Sequence, residues 1–361
     1  MRIEERIDKY RFLRQVAWNY KLDSFTDSAL VEILKAVRQA KRETLNKLRN
    51  RLAAGKKSDW TTNRLLSLTE EFRGMTKALE AQLDKDFDTI GQIVGSRSLE
   101  EYNDIFSIDQ SIPIFNNVRL SPEQLKAMTE VSLEGMLVKD ILGIGFDYHL
   151  VDLMKRDIQA GLLEGASYRK MVNSFSDKFG GLQETVISLV RTQVQGVNNA
   201  AFKEVALANQ DILQSEWEWC AILDNRACIQ CMCLDGRRFA WNDPIAIPAH
   251  IRCRCIRRSL TKSWKEITGG KIDIPEFEPA LRTWVERDGQ VGVGGAKVKA
   301  FGKIKGNYED FFNRLSYERK VALVGPTRAK LLKEGKIRFK DMIDSRGRVR
   351  LLRKDRKGLL K

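Results

Sequence analysis

All six cysteines and one of the two histidines of this 361-residue chain fall between Cys220 and Cys255. Cys228 and Cys231 form a C-x-x-C pair, whose tight turn points two sulfurs at one centre; His250, Cys253 and Cys255 follow as H-x-x-C-x-C. Two such half-sites close a tetrahedron around Zn2+, which takes thiolate sulfur and imidazole nitrogen and keeps four ligands in a structural role. Five candidates compete for four places. The preferred set is Cys228, Cys231, His250 and Cys253. An all-cysteine set with Cys255 in place of His250 stays open, because Cys255 shares a face with Cys253 if that segment is a strand. Cys220 and Cys233 read as buried thiols. A structural zinc contributes on the order of 10–16 kcal/mol, comparable with the stability of a whole domain, so a small segment built on it folds with its metal.

The order of these residues excludes the familiar zinc enzymes. Deaminases need H-x-E ahead of P-C-x-x-C, with the glutamate moving protons; here the histidine comes second and no such glutamate follows it. Metalloproteases need H-E-x-x-H, which His149 and His250 are too far apart to form. A nucleophilic pair of Cys228 and His250 lacks an orienting third group in the sequence. His149 itself reads as a half-buried histidine.

Around the cluster the chain reads mainly as helix. The first 112 residues contain no proline, and all seven prolines come later, which suits long uninterrupted helices. Leu68, Phe72, Met75, Leu79, Leu83, Phe87, Ile90 and Val94 recur every three or four residues, as one face of a helix requires. Leu30, Leu34, Val37, Leu45, Leu48 and Leu52 mark an earlier helix whose far side carries Lys and Arg, read as a solvated basic face in preference to a dedicated nucleic-acid surface. After a break near Pro113, Ser121, Pro122 and Gln124 form the capping box and first-turn proline of a new helix running into LKAMTEVSLEGML. Ile187, Val190, Val194, Val197, Ala201 and Val205 mark another, which Gly196 weakens. From residue 211 the composition turns aromatic and β-branched, and Trp217 and Trp219 flank a glutamate as a strand would place them. The predicted fold is mainly α with a small zinc-stapled β-rich segment (α+β). It has long helices over 1–112, a central helical part over 113–210, the cysteine segment over 211–265, a linker or extended loop over 266–307, and a helix with a basic tail over 308–361. The glycines at 292–295 lack the strand, helix and Lys-Ser/Thr pair of a phosphate-binding loop.

The net charge is +15, and Gly335–Lys361 carry eleven Lys or Arg against three Asp, a local excess of +8. Such a tail suits a polyanion, through release of counterions from phosphates, or is a solvated, disordered end. Arg346, Arg348, Arg350, Arg353, Lys354, Arg356 and Lys357 are its candidate contacts. No stretch approaches the ~20 apolar residues of a membrane helix, and MRIEERIDKY lacks the apolar core of a signal peptide. A cytosolic origin follows, where thiols more often bind metal or stay free than form disulfides.

Read together, Trp219, Asp224-Asn225-Arg226-Ala227-Cys228-Ile229-Gln230-Cys231, Leu234-Asp235-Gly236, Phe239 and Pro248-Ala249-His250-Ile251-Arg252-Cys253-Arg254-Cys255 closely resemble the phage Mu F-like head morphogenesis family. Its members carry D-x-R-x-C-x-x-C, a following D-G with a phenylalanine, and P-x-H-x-x-C-R-C. Arg191-Thr192-Gln193 and Asn198-Asn199-Ala200 look like the helix that precedes those cysteines in the family, making 113–210 the helical part of a Mu F-like domain. The resemblance covers roughly 155–265, and 308–350 is similar to a tail often found in these proteins. Two positions depart: Gln193 stands where the family has glutamate, which weakens any catalytic Arg-Thr-Glu set, and Ile251 where it has proline.

The resemblance implies a non-catalytic minor capsid protein of a tailed bacteriophage: low-copy, inside the head, associated with the portal and other capsid or scaffold proteins, assembled in host cytoplasm and in some relatives ejected with the DNA. Non-specific contact with packaged double-stranded DNA would need only phosphate binding. Two rival readings remain from the residues: a zinc-containing DNA-binding protein outside the virion, using Arg252, Arg254, Arg257 and Arg258, and an enzyme, such as a transferase or nuclease, using Arg191 or the Cys/His set.

Overall fold

The computed structural model describes residues 3–54, 62–107, 116–133, 136–145, 150–164, 166–224, 226–267, 269–270, 282–287, 298–304 and 306–352. The proline-free region forms two long helices, α1 (Ile3–Ala53) and α2 (Thr62–Ser107). They run antiparallel, since Arg14 meets Glu101 near one end and Arg51 meets Glu71 near the other. The stripe from Leu68 to Val94 is buried apart from the half-buried Met75, and α1 contributes Trp18, Leu22, Ile33, Val37, Leu48 and Leu52 to the same core.

The capping box at Ser121 forms with Gln124 and opens α3 (Pro122–Met128). That helix is shorter than the sequence suggests. Thr129 donates its hydroxyl to the Lys126 carbonyl, and the β-branched run around it gives way to a two-residue antiparallel pair, β1 (Ser132–Leu133) with β2 (Met136–Leu137). Then come α4 (Val138–Ile144), α5 (Asp152–Leu163) and the 41-residue α6 (Tyr168–Ala208), capped by the Ser167 side chain.

Helix α6 is the axis of the fold. It packs against α1, α2, α4 and α5, and from residue 188 to 199 it is buried on nearly every side. Gly196 lies against Val131, where a Cβ would collide with the valine side chain; what looks like a weak point in the helix is the condition for a close crossing.

Beyond it, β3 (Leu213–Cys220), α7 (Ile229–Leu234), β4 (Arg238–Ala240) and β5 (Ile256–Thr261) make the cysteine segment, with an antiparallel sheet in the order β4-β3-β5. Trp217 pairs with Phe239 on one side and Ser259 on the other. Trp217, Trp219 and Phe239 stack together, Trp217 to Phe239 at 5.2 Å between ring centres.

Two later regions are more structured than expected. Between 266 and 307, after the short α8 (Trp264–Ile267), lies an antiparallel pair, β6 (Arg282–Arg287) with β7 (Val298–Ile304). The intervening glycines mask the strand-forming Thr283, Trp284, Val285, Val298 and Phe301 in a composition-based reading. The single C-terminal helix is instead three: α9 (Tyr308–Arg314), α10 (Tyr317–Val324) and α11 (Pro326–Lys333). Leu315 turns extended and Ser316 caps the next helix. The first half of the basic tail is folded as well: a 3-10 turn at Phe339–Met342 buries Phe339, Met342 and Ile343.

Asn198 on α6 joins the three longest helices. Its Oδ1 accepts from Trp18 Nε1 at 3.1 Å, Ser98 Oγ at 3.1 Å and Tyr102 OH at 2.9 Å, all buried. Removing a shared acceptor leaves buried donors unmatched, at about 1–3 kcal/mol for each that finds no substitute. Asn198→Leu is expected to lower stability in urea unfolding by on the order of 3 kcal/mol; a loss below about 1 kcal/mol would contradict this reading of the junction.

Candidate metal centre

The C-x-x-C pair sits where α7 begins. Cys228 is the N-cap of that helix, its sulfur 3.4 Å from the Cys231 amide, and Cys231 follows one turn inside. The second half-site is a loop between β4 and β5. His250 Nδ1 lies 2.7 Å from the Ile251 carbonyl; that contact fits an Nδ1–H donor and leaves Nε2 with a lone pair facing the sulfurs, as a metal-bound imidazole requires. Nε2 is 3.1 Å from both Cys228 Sγ and Cys231 Sγ, and Cys231 Sγ is 3.9 Å from Cys253 Sγ. Bond lengths of ~2.3 Å to sulfur and ~2.0 Å to nitrogen put tetrahedral ligand atoms ~3.5–3.8 Å apart. The five candidates thus converge as two overlapping groups, Cys228–Cys231–His250 and Cys231–Cys253–Cys255, each with its donor atoms within 4.8 Å of one another. Cys231 is common to both. Cys220 and Cys233 are buried outside these groups. Burial raises Cys233 to about 12, and its sulfur faces the Phe339 carbonyl at 3.2 Å.

The electrostatics of the cluster call for a cation. Hydrogen bonding from Cys231, with help from the imidazole of His250, brings Cys228 down to about 4 despite burial. Contact with Cys231 and Cys255 lowers Cys253 in the same way. Burial opposes the imidazolium of His250, but hydrogen bonding to Cys228 and Cys253 raises it to about 11. Cys231 is pushed up by Cys228 and Cys253, and Cys255 chiefly by burial. Without metal, then, the shifts run in opposite directions across the cluster, toward thiolate at Cys228 and Cys253 and toward thiol at Cys231 and Cys255, with a single imidazole to balance the negative charge. A divalent cation at the centre removes that restriction, so the donor set fits Zn2+. A cysteine nucleophile fits less well: Nε2 faces two sulfurs at the same 3.1 Å rather than one, and Nδ1 contacts its own loop instead of an orienting carboxylate.

The loop is held by α6. Arg252 adopts φ 64°, an unusual left-handed conformation for a residue with a side chain. Its amide donates to Thr192 Oγ1 at 2.8 Å, its Nε to Ser188 Oγ at 2.6 Å, and its Nη2 to Glu184 at 3.0 Å. One turn further, Gln195 and Asn199 both donate to the Cys255 carbonyl, at 3.0 and 3.2 Å, and Asn199 Oδ1 accepts the Arg257 amide. These polar residues occupy the buried side of a helix. Their role is hidden in the sequence, where apolar spacing reports packing but not which buried amide meets which carbonyl.

Two aspartates tie the cluster to the C-terminal helices. Asp224 binds Arg254 with both oxygens, at 2.7 and 2.8 Å, and its carboxylate also accepts the Arg226 amide. Asp235 accepts the Ala221 amide through one oxygen and the Tyr308 amide through the other, both at 2.7 Å. Tyr308 OH returns to the Asp224 carbonyl. Gly236, at φ 78°, makes the turn after Asp235 and lies against Asn307.

The four arginines beside the cysteines are therefore engaged within the molecule. Besides the pairs of Arg252 and Arg254, Arg257 is buried over the Trp217 ring and lowered to about 10 by that burial, and Arg258 meets Glu218 at 3.4 Å. Arg191 pairs with Asp27 at 2.8 Å, and Gln193 donates to the Thr129 carbonyl. In the tail, Arg346, Arg348 and Arg350 are exposed, Arg348 pairing with Asp344 at 3.1 Å. Arg353, Lys354, Arg356 and Lys357 lie outside the described residues, as does His149.

Among known proteins, residues 152–258 match the family model described as Phage Mu protein F like protein. The matched stretch begins with α5 and ends within β5, so it contains α6 and all five candidate ligands. No curated protein and no solved structure matches the chain.

Two outcomes are expected. Cys231→Ser, or chelation, should unfold residues from about 211 to 265, seen as loss of amide protection there while α1 and α2 stay protected; retained protection would contradict a metal-held segment. Asp235→Ala should free the C-terminal helices, with faster proteolysis between β7 and α9; an unchanged cleavage pattern would show that the two amide contacts do not hold them.

Proposed function

We propose that this chain, whose residues 152–258 are phage Mu F-like, is a minor head protein of a tailed bacteriophage that works by assembly rather than catalysis. It sits inside the capsid in few copies, made in the host cytoplasm, associated with the portal and neighbouring capsid or scaffold proteins, and meets packaged double-stranded DNA without reading its sequence. A structural Zn2+ held from among Cys228, Cys231, His250, Cys253 and Cys255 closes the cysteine segment.

The observation that carries this reading is how the polar residues of the matched region are spent. Asp224, Asp235, Thr192, Asn199, Arg252 and Arg254 bond to one another, to the cysteine loops or to Tyr308. Such wiring suits a rigid part that must present fixed surfaces. The engagement of Arg252, Arg254, Arg257 and Arg258 counts against a DNA-binding protein that uses them outside the particle, and the Arg191–Asp27 pair against a catalytic role for Arg191. No described helix is long and apolar enough to cross a membrane.

Mass spectrometry of purified particles tests the proposal. A few copies per head are expected, together with recovery of the portal after crosslinking during assembly. Complete absence from particles would overturn the reading.

A further inference from the structure

The basic tail accounts for about half of the net charge, and the structure gives the rest an address. Residues 35–57 carry nine Lys or Arg against Glu43, a second local excess of +8 that leaves the remainder of the chain at −1, and seven of the nine lie on the distal part of α1. Several of these cations are used internally. Lys41 donates to the Ser176 carbonyl on α6, and Lys47 and Arg51 pair with Glu71 on α2. Lys35, Arg38, Arg42 and Arg49 are left exposed on the outside of the helix. At about 100° per residue, these four fall within a sector of about 60° and extend about 21 Å along the axis.

No acidic residue shares that sector. Glu32 and Glu43 lie on the neighbouring strip, Glu32 pairing with Lys35, and the next exposed residue beside the stripe is Asn46, which accepts from Arg49. Among the described residues, the Arg38 and Arg42 side chains have no ion-pair partner. We propose that this stripe is a second docking surface, for the phosphate backbone of double-stranded DNA, separate from the tail. The proposal rests on the reading that the chain meets DNA, and gives that contact a place.

Charge complementarity selects the partner. A duplex carries one negative charge per ~1.7 Å of axis, both strands counted, so a straight 21 Å row of cations spans a length holding about a dozen phosphate charges and gains by releasing counterions from those it contacts. Single-stranded nucleic acid is usually gripped by aromatic side chains stacked on its bases, and the exposed face of α1 from Lys35 to Arg49 carries none. The stripe offers charge alone, which suits a backbone of regular spacing. It is also separate from the tail, whose described part packs on α7 rather than on α1.

The test is fluorescence anisotropy of a 30-base-pair duplex with the full chain across a salt series, comparing R38Q/R42Q/R49Q with R346Q/R348Q/R350Q. Glutamine keeps helix propensity, so circular dichroism and urea unfolding should be unchanged. The stripe variant should flatten the slope of log K against log salt by about 2.7, at about 0.9 per lost phosphate contact, and the arginine-to-lysine version should restore most of it. The tail variant should flatten it further when combined with the stripe variant. A stripe variant with wild-type affinity and slope overturns the inference, as does loss of all salt dependence in the tail variant alone; both outcomes leave particle incorporation, and so the head-protein reading, standing. Equal loss of binding to an acidic protein such as poly-glutamate, with duplex binding intact, would assign the stripe to a protein partner and likewise overturn it.

Discussion

A row of polar side chains on the buried length of α6 holds this protein in register. Asn198 faces the two long helices, while Thr192, Gln195 and Asn199 face the cysteine segment and bond to the backbone at Arg252, Cys255 and Arg257. Buried amides without partners are costly, so each of these contacts specifies one arrangement among the many that apolar packing alone would allow. Gly196, between them, lets Val131 pass close by. The helix thus fixes the position of a loop that, by its own sequence, has little reason to adopt a left-handed residue at Arg252.

From that placement the candidate metal centre follows. The loop carries His250 and Cys253 to the mouth of α7, where Cys228 caps the helix and Cys231 lies one turn in. The charge balance then becomes the controlling problem, because several sulfurs at contact distance cannot all ionise beside a single imidazolium. A bound dication would resolve it. The same region supports the C-terminal helices through Asp224, Asp235 and Tyr308, so the order of the chain's last described residues is linked to the order of the cysteines.

Much of this was legible in the sequence, for identifiable reasons. Helical stripes such as Leu68–Val94 repeat with the period that burial imposes, and the Ser121 capping box is a local signal needing no tertiary context. The convergence of the five candidate ligands was legible because the C-x-x-C and H-x-x-C-x-C spacings bring donor atoms to one place. What escaped was long-range pairing. That Asp235 would receive the Tyr308 amide, 73 positions away, or Asn199 the Arg257 amide, leaves no local trace. The strands at Arg282–Arg287 and Val298–Ile304 were obscured by the glycine-rich stretch between them. The folding of Phe339–Met342 was obscured by the surrounding charge, since the few apolar residues that anchor it follow no regular period. Which of the five would hold a metal is equally a matter of geometry, and Cys231 is shared by both groups.

Elemental analysis of protein purified without chelator addresses the account's central claim most directly. It predicts about one zinc per chain, lost when Cys231 is replaced, with zinc uptake by the metal-free protein at neutral pH releasing protons as the ligands give theirs up. Stoichiometric absence of any metal from folded, amide-protected protein would contradict it.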